Sequence, residues 1–244
     1  MNGLVVCLVA VLVACGGVSN PATDARQADA PAADAAGANC VTDGFDGSVL
    51  KSSWSVLVGA VPTTYDVSGS RLFISDAPFA PTPSMPGTSW IYDLDTDKAN
   101  QIAWPQAIGG EDFTLTADLG WSSTLAEFTL GGVGLSDAQG TIEALAGVTD
   151  GSVNTNGVAY GRLHVATGSD LFMLGPNQEP GTATVKIQRV NGMATISIDA
   201  MPVVTGAMPG LISNIVIFYV RFRSAMTLYD FGSLEVREIK LCRP

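Results

Sequence analysis

Basic residues are scarce in this chain: 12 Lys and Arg stand against 23 Asp and Glu, a formal net charge of −11. That balance excludes a phosphate-neutralising stripe, and with it nucleic acid as a partner. The densest basic group is Arg221, Arg223, Arg237, Lys240 and Arg243; the first two sit two apart, as on the solvated face of one strand. Histidine occurs once, at His164, and no Gly-x-Ser-x-Gly elbow accompanies it. No apolar run reaches the about 20 residues a membrane-spanning helix needs. Nor does any window carry the 3.6-residue period of an amphipathic helix. With only 14% charged residues, 47% apolar ones and abundant Gly, Ser and Thr, the composition points to sheets.

What is present begins at the N-terminus. From Leu4 to Ala14 every residue is apolar or Cys, the length of a secretory signal's apolar region. The stretch ends in Leu12-Val13-Ala14-Cys15, followed by Gly16 and Gly17. These residues resemble the lipobox of bacterial lipoproteins, although Met1-Asn2-Gly3 supplies none of the positive charge that usually opens such a signal. The resemblance implies cleavage after residue 14 and acylation of Cys15, and so a membrane as partner through a lipid anchor. More than one acyl chain is what stable anchoring takes. Gly16 stands where an inner-membrane retention signal would place Asp, which favours the outer membrane, on either its periplasmic face or the cell surface. From about Gly16 to Asn39 the chain reads Ala, Asp, Pro, Gly, Ser and Asn, with Asp24, Asp29 and Asp34 recurring every five residues. Such a segment cannot bury enough apolar surface to offset chain entropy, so residues 15–39 are expected to be a disordered tether.

Four Cys are present. If Cys7 leaves with the signal and Cys15 carries lipid, Cys40 and Cys242 remain, at the first and nearly the last residue of the folded part. In an oxidising compartment this placement predicts a disulfide, which requires the termini to lie side by side. Two Cys and one His make a poor zinc set.

After Cys40 come short alternating runs broken by turn residues. Strands are expected over residues 53–58, 71–75, 90–94, 113–119, 126–135, 158–166, 171–174, 183–190, 193–199, 215–223 and 233–241. The sharpest signal is Asn191-Gly192 between two alternating runs, a type I′ hairpin. The pattern predicts one all-β domain, a two-sheet antiparallel sandwich over residues 40–244. Asp43-Gly-Phe45-Asp-Gly47 with Leu50 and Trp54, Gly110-Glu-Asp-Phe113, the hairpin and residues 231–241 together resemble concanavalin A-like (laminin G-like) jelly rolls. In that fold the first and last strands pair, which agrees with the Cys40–Cys242 bridge.

Glycosidases of the resembled fold carry Glu-x-Asp-x-x-Glu on one strand, and no Glu of this chain starts that pattern. Glu111 and Asp112 are neighbours, and Glu235 and Glu238 are three apart, so each pair falls on opposite faces of a regular strand. Gly131-Gly-Val-Gly134 reads as a bulge or a place of close packing. Catalysis is therefore not expected. The resemblance implies instead a sugar-binding face with exposed aromatics, among which Trp90 and Trp121 are the candidates for stacking on a polysaccharide or glycoconjugate, while Trp54 belongs to the core. An adhesion module that binds another envelope protein is the alternative; a Trp or Tyr on the concave sheet separates the two. No cofactor is expected: Asp43, Asp46 and Asp230 lie where the termini meet but form no continuous calcium loop, and read as turn aspartates. No segment points to an oligomeric state.

Overall fold

The computed structural model describes residues 39–57, 63–75, 100–121, 129–150, 157–164, 171–178, 181–221 and 233–244. Residues 1–38, with Cys15 and nearly all of the expected tether, the expected strand at 90–94 with Trp90, and Asp230 lie outside them. The described strands are β1 (Asn39–Asp43), β2 (Ser55–Val56), β3 (Thr64–Val67), β4 (Leu72–Ser75), β5 (Gln101–Gly109), β6 (Phe113–Trp121), β7 (Thr129–Ser136) and β8 (Ile142–Asp150). They continue as β9 (Gly157–Leu163), β10 (Leu171–Gln178), β11 (Thr182–Val190), β12 (Met193–Ile198), β13 (Met201–Ala207), β14 (Ile212–Arg221) and β15 (Ser233–Arg243).

Two antiparallel sheets form. The eight-stranded sheet runs β13-β12-β11-β6-β15-β4-β3, with β1 pairing β15. The seven-stranded sheet runs β10-β9-β8-β7-β14-β5-β2. Their facing side chains make one apolar core that includes Leu115, Ala117, Ile187 and Ile239 from the first sheet and Ile102, Val133, Ala146 and Ile217 from the second. The expected two-sheet sandwich is the observed fold.

Register explains the ends. Cys40 lies opposite Cys242 in the β1–β15 pair, and the two are joined by a disulfide. Asn191 and Gly192 have φ of 52° and 75°, the left-handed pair a type I′ turn needs, between the partners Val190 and Met193. A second tight turn, Asp199-Ala200, has the same handedness at φ 48° and 64°. It carries no Gly to announce it.

One residue ties the two sheets together. Asn100 is 2% exposed and left-handed at φ 54°. Its Nδ2 donates to the carbonyls of Ser75 on β4 and Tyr219 on β14, and its Oδ1 accepts from the Thr64 N–H on β3. A short amide side chain thus pairs with backbone groups on three strands, two in one sheet and one in the other.

Candidate functional site

The central strands of the seven-stranded sheet are buried on both faces over residues 101–104, 142–148 and 215–219, and the outer face there has an unusual floor. Across five strands the register aligns Gln101, Phe218, Gly132, Gly147 and Tyr160 in one row. The next row toward one end aligns Ala103, Val216, Gly134, Leu145 and Arg162. Two facing glycines thus separate an aromatic on β14 from an aromatic on β9, whose backbones are three strand spacings, about 14 Å, apart. The glycines are obligatory. A Cβ at Gly132 would sit 2.1 Å from the Ala146 carbonyl oxygen, and one at Gly147 would sit 2.2 Å from that of Gly131. Close approach of β7 and β8 therefore forbids side chains there, so that a slot of bare backbone, without side chains of its own, lies between Phe218 and Tyr160 in the row.

Leu130, Ile142, Leu145, Tyr160, Val216 and Phe218 pack as an apolar cluster of their own, apart from the inter-sheet core. Within this apolar setting Gln101 and Arg162 bring amide and guanidinium groups, at 0% and 3% exposure. Flat apolar ring faces beside a few fixed polar groups are the make-up of a ligand site that binds by stacking and hydrogen bonding.

The aromatics expected from the sequence fall elsewhere. Trp121 is not at an exposed rim: it is 6% exposed and belongs to the inter-sheet core. Its inward direction follows from β6, where Phe113, Leu115, Ala117, Leu119 and Trp121 share one parity and are all buried. That alternation is legible in the sequence and should have outweighed its place at a strand end. Trp90 lies outside the described residues. Trp54 is a core residue, stacked on Trp104 with ring centroids 5.2 Å apart and tilted against Phe45 at 5.5 Å. The sequence reading named neither Tyr160 nor Phe218; a glycine-rich strand beside aromatic-bearing ones was the available signal.

The polar groups near the termini serve the fold. Asp43 is 2% exposed, and its carboxylate accepts from Trp54 Nε1 at 2.8 Å, Lys51 Nζ at 2.6 Å and the Phe45 N–H at 2.8 Å. Burial alone would raise its pKa, but hydrogen bonds from Lys51, Trp54 and Phe45, with the Lys51 charge, hold it below the usual 3.8. Those three donors occupy the oxygens a cation would use. Among the described residues no group of three or more His, Cys, Asp or Glu side chains gathers to hold a metal ion.

Arg189 is the other unforeseen residue. At 1% exposure it donates to the carbonyls of Glu111, Gly109 and Gly210 and lies over the Phe113 ring, 5.1 Å from its centroid. Burial lowers its pKa from the ordinary arginine value, opposed by the charges of Asp112 and Glu111, and the guanidinium stays protonated at neutral pH.

The carboxylates also depart from expectation. A register shift between Val236 and Glu238 makes Arg237 a bulge, with Glu235 opposite Gly120 and Glu238 opposite Asp118. Glu235, Glu238 and Asp118 therefore share the outer face of the eight-stranded sheet, where a regular strand would have separated the two Glu. Glu235 is engaged there by Arg71 at 3.2 Å and Arg237 at 2.5 Å. Glu143 on β8 is 8% exposed and lies over Gly210, where a Cβ would come within 2.5 Å of its carboxyl carbon. Ser136 receives Asn214 Nδ2 at 3.2 Å, and the His164 N–H donates to the Glu143 carbonyl.

No protein-family model matches the chain, and none of the curated proteins does. Solved structures do. The catalytic domain of an endo-1,3-β-glucanase (laminarinase) from Thermotoga petrophila superposes with a TM-score of 0.59 at 9% identity, covering 85% of this chain and 98% of that one. The CBM2 module of the evolved Dit protein of Lactobacillus casei phage J-1 gives 0.58 at 11% identity, over 84% and 96%. The immunostimulatory antigen and pseudo β-1,3-glucanase of Mycobacterium tuberculosis gives 0.56 at 12%, over 84% and 98%. The domain thus has the jelly-roll fold of these carbohydrate-related proteins. The expectation that catalysis is absent is overturned: a glucanase catalytic domain shares the fold nearly end to end, and the bulge removes the claim that no two Glu of one strand share a face.

Proposed function

We propose that this chain is a carbohydrate-recognising jelly roll displayed at a membrane through an acylated Cys15 and a tether over residues 16–39. One observation carries the carbohydrate reading. The Phe218–Gly132–Gly147–Tyr160 row offers two aromatic walls over a floor without side chains, with Gln101 and Arg162 as polar partners. Aromatic rings cover the apolar faces of sugar rings, while amide and guanidinium groups pair with hydroxyls. The jelly-roll neighbours supply the fold-level support. The lipobox resemblance of residues 12–15 and the composition of the tether support the address.

Phe218 is 0% and Tyr160 3% exposed, so the row is closed. A glycan reaches it only after this face is uncovered, and association slower than about 10⁵ M⁻¹s⁻¹ is expected. The test is to titrate the chain with laminarin, agar, xylan and chitin while measuring reducing ends in the same incubations, so that turnover is read separately from retention. Tyr160→Leu, which removes the ring face, should weaken binding about tenfold, with a parent-like circular-dichroism spectrum as the check that the domain still folds. Retention of no glycan, or binding untouched by Tyr160→Leu, would argue against the slot. Palmitate labelling lost in Cys15→Ser tests the anchor.

A further inference from the structure

Three loops meet at one end of the sandwich, and the buried Arg189 fastens them. From β11 its guanidinium reaches the β5–β6 turn through the Gly109 and Glu111 carbonyls and the β13–β14 turn through the Gly210 carbonyl. The β11–β12 hairpin closes the set: the Asn191 N–H donates to Asp112 Oδ1 and the Met208 N–H to the Gly192 carbonyl. On this fastened end stand Val190, Met193 and Leu211, at 48%, 48% and 66% exposure. Val190 and Met193 are register partners, and Leu211 lies beside Gly110. Three large apolar side chains held outward on one rigid support are suited to meet an apolar surface.

The position of the chain's entry says which. Asn39 pairs with Arg243, Cys242 with Thr114, and Phe113 with Arg189, so residue 39 is level with the base of the β11–β12 hairpin. Three strand spacings, about 14 Å, separate β1 from β11. The 24 residues from Gly16 to Asn39 reach roughly 80 Å fully extended and average roughly 27 Å as a flexible coil. With Cys15 anchored, a tether of this length brings this end within reach of the lipid. From this we infer that Val190, Met193 and Leu211 form a membrane-docking tip that seats the domain's tethered end in the bilayer interface. The inference rests on the proposed anchor. Three partly buried side chains give weak binding by themselves, and a tether of this length raises the local lipid concentration enough for weak contacts to persist. Glu111 is exposed at the same end, with Asp112 beside it, and Arg243 is engaged by Gln106, so the tip suits zwitterionic lipid better than anionic.

The experiment couples the chain from Cys15 onward, the form left by the proposed processing, to a maleimide lipid in phosphatidylcholine vesicles. Cys40 and Cys242 are bridged, so the Cys15 thiol takes the lipid. Amide exchange at residues 109–112, 190–193 and 208–211 should slow at least fivefold relative to the uncoupled chain. The turn at 199–200, at the opposite end of β12, should not change. The triple variant Val190→Ser, Met193→Ser, Leu211→Ser should lose the slowing; if it fails to fold, Leu211→Asp alone carries the same expectation. Including anionic lipid should reduce the effect at low salt. Equal exchange on and off the vesicle would overturn the docking tip, as would slowing that includes 199–200. Protection that appears without vesicles and grows with protein concentration would assign the patch to a second copy and overturn it too. Chemical coupling does not depend on acylation in the cell, so failure of palmitate labelling at Cys15 remains a separate result.

Discussion

The outer face of the eight-stranded sheet and the outer face of the seven-stranded sheet are made by opposite rules. On the first, β11 alternates strictly: Ala183, Val185, Ile187 and Arg189 are buried, while Thr184, Lys186 and Gln188 face outward with Asp118 and Glu238 nearby. On the second, every residue from Ile142 to Val148 is buried, as are Gln101 to Trp104 and Ile215 to Tyr219. A sheet wetted on one side must alternate, whereas a sheet covered on both sides reads as a continuous run of apolar and small residues. The polar face tolerates change because water replaces any partner it loses. The buried face cannot, and there the shape of the slot is set by residues that lack side chains.

Gly132→Val breaks this comparison most directly. Its Cβ would overlap the Ala146 carbonyl and the Gly147 Cα at 2.6 Å, both backbone, so no rotamer relieves it. A loss of more than about 4 kcal/mol, or no folded protein, is expected. Thr184→Val on the polar face loses a hydrogen bond to Asp118 in the presence of water and should change stability by less than about 1 kcal/mol. Paired urea melts check both. Similar losses from the two would mean that the faces do not differ in the way described.

The same contrast sets what was legible in the sequence. The sandwich and the Asn191-Gly192 turn were readable because each has a local signal, alternation or positive-φ chemistry, while the Cys40–Cys242 pairing followed from the cysteine count and the core role of Trp54 from the jelly-roll resemblance. The strands β5 and β8 were not. Ile142-Glu-Ala-Leu-Ala-Gly-Val has no period of 2, and Pro105 interrupts the other. The slot lies on those strands and their neighbours, so it went unseen with them. Its walls, Tyr160 and Phe218, are 58 residues apart in the chain and meet only through strand pairing. The β15 bulge has no Gly to mark it, which is why Glu235 and Glu238 were placed on opposite faces. Arg189 and Asn100 bind backbone carbonyls of distant turns, and side-chain spacing says nothing of those.

Asp43 joins the two sheets, and acid tests that joint. It ends β1 of the first sheet and holds Trp54, which stacks on Trp104 of the second. Its folded pKa is depressed below 3.8. The unfolded chain therefore binds the proton more readily, so this contribution is full above about pH 4 and fades as pH falls through the lower folded value. Asp43→Asn should cost on the order of 2 kcal/mol at neutral pH. It should also flatten the stability profile between pH 4 and 2, as read from melts at a series of pH values. A variant whose acid dependence matched the parent's would mean that other carboxylates carry it.

A small expected effect of the opposite sign concerns the polar-faced sheet alone, at the Asp199-Ala200 turn. A two-residue hairpin between Ile198 and Met201 requires left-handed backbone at both turn positions, and the residues there have it. Asp199 is suited to the role: its Oδ1 accepts the Thr184 N–H at 2.8 Å, while its own N–H donates to the Thr184 carbonyl at 2.9 Å. Ala200 is not, because its Cβ crowds the following carbonyl at φ 64° and no polar side chain compensates. Glycine removes that crowding, but it also gives the unfolded chain more freedom to lose, and the two terms oppose. The steric relief is the larger, so Ala200→Gly should stabilise the domain by about 0.5–1 kcal/mol. Because the turn is exposed and touches neither Gly132 nor Gly147, glycan binding should be unchanged. Thermal melts beside binding titrations read both quantities. A lower melting temperature would show that Ala200 sits in this turn without strain.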